Sequence, residues 1–196
     1  MKGKQVTQMV VVLGLVCIVL LGVYFAMNRK ADDDIYAKEN EINTEAQAIL
    51  QKDIDRNYPA TVREVVEVYS RISKCLYNEK VTEEEFNELV TMIRKLYDEE
   101  LLENNPLLEY TENLLDEVTT AKANDYYMSR YQVQKQSSVV KWTSEGENFA
   151  AIVACYTVNN NGTYEKTYEE FLLREDENNR WKIVGWRQVE PMEIGD

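Results

Sequence analysis

The chain predicts an α+β domain behind an N-terminal apolar segment, and three observations carry that expectation. Residues 61–123 place apolar side chains at three- and four-residue spacing, residues from about 130 onward alternate instead, and Met9–Met27, "MVVVLGLVCIVLLGVYFAM", carries no charge. Helices first and strands afterwards specify three helices packed on one face of a four-stranded antiparallel sheet.

The apolar stretch comes first. Nineteen such residues at 1.5 Å rise make about 28 Å of helix, close to the thickness of the hydrocarbon core. A cleavable signal needs small residues at −3 and −1, and Tyr24 with Ala26 puts a ring at one of them. Cys17 sits mid-stretch behind Val16, which does not suit a lipoprotein. Lys2 and Lys4 precede the run and Arg29 and Lys30 follow it, so charge bias is slight; the short leading tail and Asp32–Asp34 on the far side favour an inward N-terminus. The expectation is a cytoplasmic tail over 1–8, a transmembrane signal anchor over 9–27 and an extracytoplasmic domain at the cell membrane.

Residues 28–59 are expected to form a juxtamembrane helical stalk. Ile35, Ile42 and Ile49 fall seven apart, but Lys38, Glu45 and Lys52 leave the coiled-coil seam half built, while Ala46, Ile49 and Leu50 can lean on the domain. Pro59 ends the stalk because it lacks an N–H and disfavours helix at Tyr58.

The domain itself spans 60–190, leaving 191–196 as a tail. Thr61–Glu64 and Thr82–Glu85 both match the capping box, in which a hydroxyl and a carboxylate satisfy free N–H groups at a helix start. Val62, Val65, Val66, Tyr69, Ile72 and Leu76 form the apolar face of the first helix; Phe86, Leu89, Val90, Ile93, Leu96 and Tyr97 form that of the second. A third opens at Asn105-Pro106 and runs through Leu107, Leu108, Leu114, Leu115 and Val118, all read as core. Strands follow at about 130–143, 148–158, 163–174 and 181–189. "FAAIVACYTV" is apolar on both faces, as a central strand is, and "NNNGT" is a hairpin signal.

Composition narrows the function. The chain has 22 Lys+Arg against 35 Asp+Glu; four of the basic residues precede position 31, so the remainder carries 18 against 35, a net of −17. Such a surface repels phosphate backbones, which argues against nucleic acid. No His occurs, removing the commonest general base, metal ligand and triad member. Cys75 and Cys155 stand outside the apolar run without any C-x-x-C, so no zinc site is expected and a disulfide between them is left open. The acidic runs lack the alternating oxygens and turn glycine of a calcium loop. No metal and no cofactor is expected.

The order of elements, with "YEEFLLREDENNRWKIVGW" preceded by "FAAIVACYTVNNNG", resembles the NTF2-like superfamily over residues 60–190. That resemblance implies a curved, cystatin-like cone and points to membrane-tethered domains of bacterial envelopes. The superfamily's enzymes use Asp–His or Tyr–Asp pairs; without His only Tyr–Asp or Tyr–Glu combinations remain.

Candidate residues for a pocket or partner surface are Asp125, Tyr126, Tyr127, Trp142, Tyr156, Tyr168 and Trp186. Asp125 stands beside Tyr126 at the helix-to-strand junction, the place for a carboxylate–phenol pair. A phenol ring with a polar tip suits either a ligand site or a half-wet helix–sheet edge. Trp181 and Trp186, five apart, point to opposite faces unless a bulge intervenes, which puts one in the core and one on a partner surface. Gly185 marks a bend or a close backbone approach. The expected function is non-catalytic binding of an envelope protein or self-assembly as a homo-oligomer; the alternative is a small-molecule binding domain or weak enzyme with a Tyr-lined pocket.

Overall fold

Thr61 and Thr82 start two of the helices, each accepting a hydrogen bond from the backbone N–H three residues on while Glu64 and Glu85 reach back to the cap N–H groups. These details come from a computed structural model of the chain, which describes residues 44–194. Replacing Thr82 by Ala is expected to cost about 1 kcal/mol, read as a shift of the urea midpoint at unchanged slope.

Among the described residues five helices precede the strands: α1 (Glu45–Leu50), α2 (Val62–Asn78), α3 (Glu83–Arg94), α4 (Glu99–Glu103) and α5 (Leu107–Ala123). Ala46, Ile49 and Ile54 belong to the same hydrophobic core as α2 and α3. The second predicted helix ends earlier than its apolar spacing suggests. Asp98 caps α4 through the Glu100 N–H (3.0 Å), and Leu96–Asp98 run extended beside the last strand, where Asp98 N–H donates to Ile183 O and Ile183 N–H to Leu96 O.

The strands are β1 (Tyr126–Val133), β2 (Val140–Ser144), β3 (Glu147–Asn160), β4 (Thr163–Glu175) and β5 (Trp181–Val189), in antiparallel order β1-β3-β4-β5. The first predicted strand is in fact two. β1 pairs with the C-terminal half of β3 and β2 with its N-terminal half along the same edge, separated by a 3₁₀ turn at Gln136–Ser138. Both tight hairpins, Glu145-Gly146 and Asn161-Gly162, place two consecutive residues at positive φ (54° and 88°; 50° and 88°), the geometry that matches strand twist.

Along β3, Ala150, Ile152, Ala154 and Tyr156 face the helices and join the core; on β4, Phe171 and Leu173 do the same. Helix α2 crosses this face, touching β1, β3 and β5. The opposite face carries Cys155, with Tyr168 directly across from it. The chain after β5 returns along that side to the β1 edge, where Gln132 Nε2 donates to Ile194 O (3.2 Å). Cys75, buried on α2, and Cys155 are both free thiols.

Arg174 of β4 forks onto both carboxylate oxygens of Asp98, which is 6% exposed, and also meets Glu147. Truncating the arginine as Arg174→Met leaves that carboxylate desolvated with only its cap bond. The expected cost is about 2 kcal/mol, below the usual range for a buried pair because the guanidinium is partly solvated. Chemical denaturation of the variant measures it.

The fold class expected from the sequence is corrected in one respect. The sheet is antiparallel and packed on helices, but it is neither curved nor closed into an NTF2-like cone. Alternation reports which face of a strand is buried; closure depends on stagger and shear, which alternation does not encode. Among the described residues, moreover, no helix is long and apolar enough to cross a membrane. The expected span over 9–27, the tail 1–8 and the stalk as far as residue 43 lie outside the described residues.

The third helix also departs from expectation. Only Val118 of α5 is fully buried, and Leu107 and Leu108 are 54% and 71% exposed. α5 packs chiefly on α2 and β1, so its first turn extends past the core it was expected to enter.

Candidate functional site

Aromatic rings from four elements meet under α5. Tyr69 of α2 sits edge-on to Phe171 of β4 at 5.2 Å and 5.3 Å from Trp186 of β5; Trp186 in turn stacks on Phe171 at 5.8 Å. Tyr97, held by the extended segment beside β5, is 6.2 Å from Trp186 and edge-on to Tyr110 of α5 at 5.9 Å, the two hydroxyls 2.8 Å apart.

A β-bulge brings Trp186 here. Leu172 pairs with Gly185 and Leu173 with Ile183, so Val184 is extra and strand parity resets. Trp181 and Trp186 thus share the helix-facing side, with Trp181 in the core and Trp186 packed against it. The expectation of opposite faces is corrected by that one residue. Gly185 lies at the bulge, and because a Cβ there meets open space no close backbone approach requires the glycine.

Two carboxyl groups border the rings. Glu117 of α5 accepts a hydrogen bond from the Tyr77 hydroxyl, and Tyr126 of β1 lies 6.4 Å from Tyr77, ring to ring. Glu169 of β4 follows the same alternation as Phe171 and Leu173, so it faces the helices. Desolvation foremost, then the charge of Glu117, pushes the Glu169 carboxyl up from 4.5 to about 7. Desolvation also raises Glu117, partly offset by the Tyr77 hydroxyl. Burial holds the phenols of Tyr69, Tyr77 and Tyr97 well above their usual range, and Tyr126 at about 12.

Exposure and desolvation together define the shape. Tyr69, Tyr77, Tyr110, Glu117, Tyr126, Glu169 and Trp186 are each only half-buried, yet loss of solvent leads the shift of every titratable group among them. The rings and the two carboxyl groups form a packed cluster on the core whose outer edge is reached by water. Within it the Trp186 Nε1–H is buried without a hydrogen-bond partner. A carboxyl group poised near neutral pH can donate or accept a proton there, and so can present itself to a ligand in either form.

The residues nominated from sequence divide. Tyr126 and Trp186 belong to the ring cluster, Tyr126 lying 6.4 Å from Tyr77 and Trp186 5.3 Å from Tyr69, ring to ring. Tyr156 is buried next to it, bonded to Ser70 through the two hydroxyls at 2.8 Å. Asp125 is exposed at a positive φ of 51° and bonds to none of the aromatics; the phenol–carboxyl pair is Tyr77–Glu117 instead. Tyr127 is exposed on the other face beside Tyr164, and Tyr168 faces the same side. Trp142 is 41% exposed, stacks on Phe149 at 5.8 Å and lines a recess of about 320 Å³ with Lys141 and Trp181. A larger, open groove of about 970 Å³ runs between the Leu50–Ile54 segment and α3, bordered by Glu83, Glu84 and Glu88. Among the described residues no group of three or more His, Cys, Asp or Glu is placed to hold a metal ion.

Tyr77, Tyr110, Glu117 and Glu169 are absent from the residues nominated from sequence, and Tyr69 and Tyr97 are read there only as parts of apolar helix faces. Two signals were present. Glu169 extends the apolar alternation of Phe171 and Leu173, and Glu117 falls with Tyr110 and Leu114 on one helical face. An acid on the apolar face of an element is the informative anomaly.

Fold and site together define an α+β domain with a half-buried aromatic cluster and two desolvated carboxyl groups. The chain belongs to a family described as a domain of unknown function, DUF6715, which matches residues 1–186. That match, with the open sheet, overturns the NTF2-like resemblance. No curated protein matches the chain.

Proposed function

We propose that this domain binds a small organic molecule at the aromatic cluster between α2, α5 and the sheet. The observation that carries the reading is the cluster of half-buried rings, Tyr69, Tyr110 and Trp186 around Tyr97 and Phe171, with the half-buried Glu117 bonded to Tyr77 beside them. Ligand sites combine apolar, aromatic walls with a few convergent polar groups, and the unpartnered Trp186 Nε1–H adds a donor. The loosely packed α5 supports it further, because a helix with one fully buried residue can move to admit a ligand at small cost.

Native mass spectrometry of the full-length protein tests the reading. A small adduct that survives desolvation and is lost in Tyr110→Ala is the expected result. An unadorned protein, together with no thermal shift from a panel of aromatic and alkyl fragments, overturns it.

A further inference from the structure

We propose that the free edge of β2 is a strand-addition site, which takes an extended segment of a partner chain that alternates apolar and acidic residues. This surface is separate from the aromatic cluster and does not depend on ligand binding there.

The edges of the sheet are not treated alike. Along β1 the Asn78 amide takes both backbone groups of Met128, donating to its O (2.7 Å) and accepting from its N–H (3.0 Å). The start of β5 is covered by Leu96–Asp98, which exchanges two backbone bonds with Ile183, and the Tyr58 hydroxyl donates to Trp181 O (2.8 Å). β2 has no such cover. Its five residues are all exposed, and among the described residues no backbone group of Val140–Ser144 bonds outside the ladder with β3. They present about 17 Å of strand, whose outward N–H and C=O groups are a template for one more.

Register fixes what an added strand meets. Val140 and Trp142 lie opposite Ala151 and Phe149, which alternate with the core residues Ala150 and Ile152, so both point away from the helices. They are 62% and 41% exposed. Lys141 and Thr143 point to the other side. There the recess of about 320 Å³ is walled in part by Lys141, Asn148 and Trp181, and the Lys141 ammonium lies over the Trp181 ring at 4.7 Å. Added strands gain affinity from main-chain bonds and selectivity from pockets for alternate side chains. Val140 and Trp142 favour apolar neighbours on the outer face, and Lys141 at the recess favours an acid on the other.

Charge selects the partner. Residues 126–144 contain Arg130, Lys135 and Lys141 and no acid, in a chain whose residues 31–196 carry a net of −17. None of these three cations is in an ion pair among the described residues. Of the acids beside β2, Glu147 meets Arg174, Glu175 accepts from Asn148 (2.9 Å), and Glu145 stands beyond the strand in the turn. Fields of exposed charges fade within about 10 Å at ordinary salt, so the local cations set the sign at this edge. A second copy of β2 brings the same lysines together across a two-fold axis, which like charge disfavours.

Titration of the full-length protein with a labelled, capped peptide of about seven residues, enough to span β2, tests the proposal by fluorescence anisotropy. Alternating valine and glutamate is expected to bind at least about fivefold tighter than alternating valine and lysine, the scale of one favourable against one unfavourable cross-strand charge pair. Lys141→Glu, or Lys135→Glu should that variant fold poorly, is expected to reduce the preference to about twofold or less. N-methylation of alternate peptide residues separates strand addition from charge attraction, because one of the two sets abolishes binding and the other leaves it. No binding of the valine–glutamate peptide up to about 1 mM, equal binding of both peptides, or an equal effect of both N-methylated sets overturns the proposal. A dimer in native mass spectra that the peptide dissociates assigns the edge to a second copy and overturns the acidic partner.

Discussion

Replacing Phe171 by alanine is expected to destabilise the domain by about 4 kcal/mol, within the range for a buried aromatic truncated to a methyl. Phe171 has no exposed surface, and both Tyr69 and Trp186 pack their rings against it. The cavity left by the variant is walled by rings held from α2 and β5, and neither can collapse inward without breaking its own packing. Urea denaturation followed by far-ultraviolet circular dichroism measures the loss. Because Phe171 underlies the rings of Tyr69 and Trp186, Phe171→Leu, which keeps much of the volume, is the variant in which stability and ligand affinity separate. It is expected to lose about 1 kcal/mol of stability and to keep Glu117 and Glu169 in place.

Glu169→Gln is expected to stabilise the domain at pH 8 while leaving it unchanged near pH 4.5. The folded carboxyl is raised from 4.5 to about 7 by desolvation and by Glu117, so the folded state binds its proton more tightly than the unfolded chain does. Its contribution is therefore fully present below 4.5 and is lost as pH rises through about 7. At 1.36 kcal/mol for each pH unit the limit is about 3 kcal/mol, and partial contact with water brings the expected gain to about 2 kcal/mol. Parallel denaturation curves for both proteins from pH 4.5 to 8.5 give the difference directly. A constant offset across that range, in place of a divergence above pH 5, defeats the assignment.

Much of the scaffold was legible in the residues themselves. Two capping boxes, the Asn-Gly hairpin and the change from helical to alternating period located α2, α3, the β3–β4 turn and the central strand, because each is a local rule about hydrogen bonds or φ. The split of the first predicted strand was not legible. Tyr126–Val133 and Val140–Ser144 both alternate acceptably, and only their shared partner β3 shows that a 3₁₀ turn divides them. Helix α4 had its signal in Asp98 followed by Glu99 and Glu100, hidden behind the apolar spacing of Leu96 and Tyr97, which serves the extended segment beside β5.

The site was read less completely, for a physical reason. Sequence separation gives no measure of approach: Tyr77 and Glu117 are forty positions apart, whereas Asp125 and Tyr126 are neighbours that point to different environments. One inserted residue, Val184, reverses the parity of β5 and carries Trp186 from the expected outer face to the ring cluster. The sequence by itself determined an acidic α+β chain without histidine, its main helix starts and its central strand, since composition, capping and period are properties of contiguous residues. The openness of the sheet, the place of Trp186 and the meeting of Tyr77 with Glu117 were decided by packing between elements, where a single bulge or helix placement outweighs every local preference.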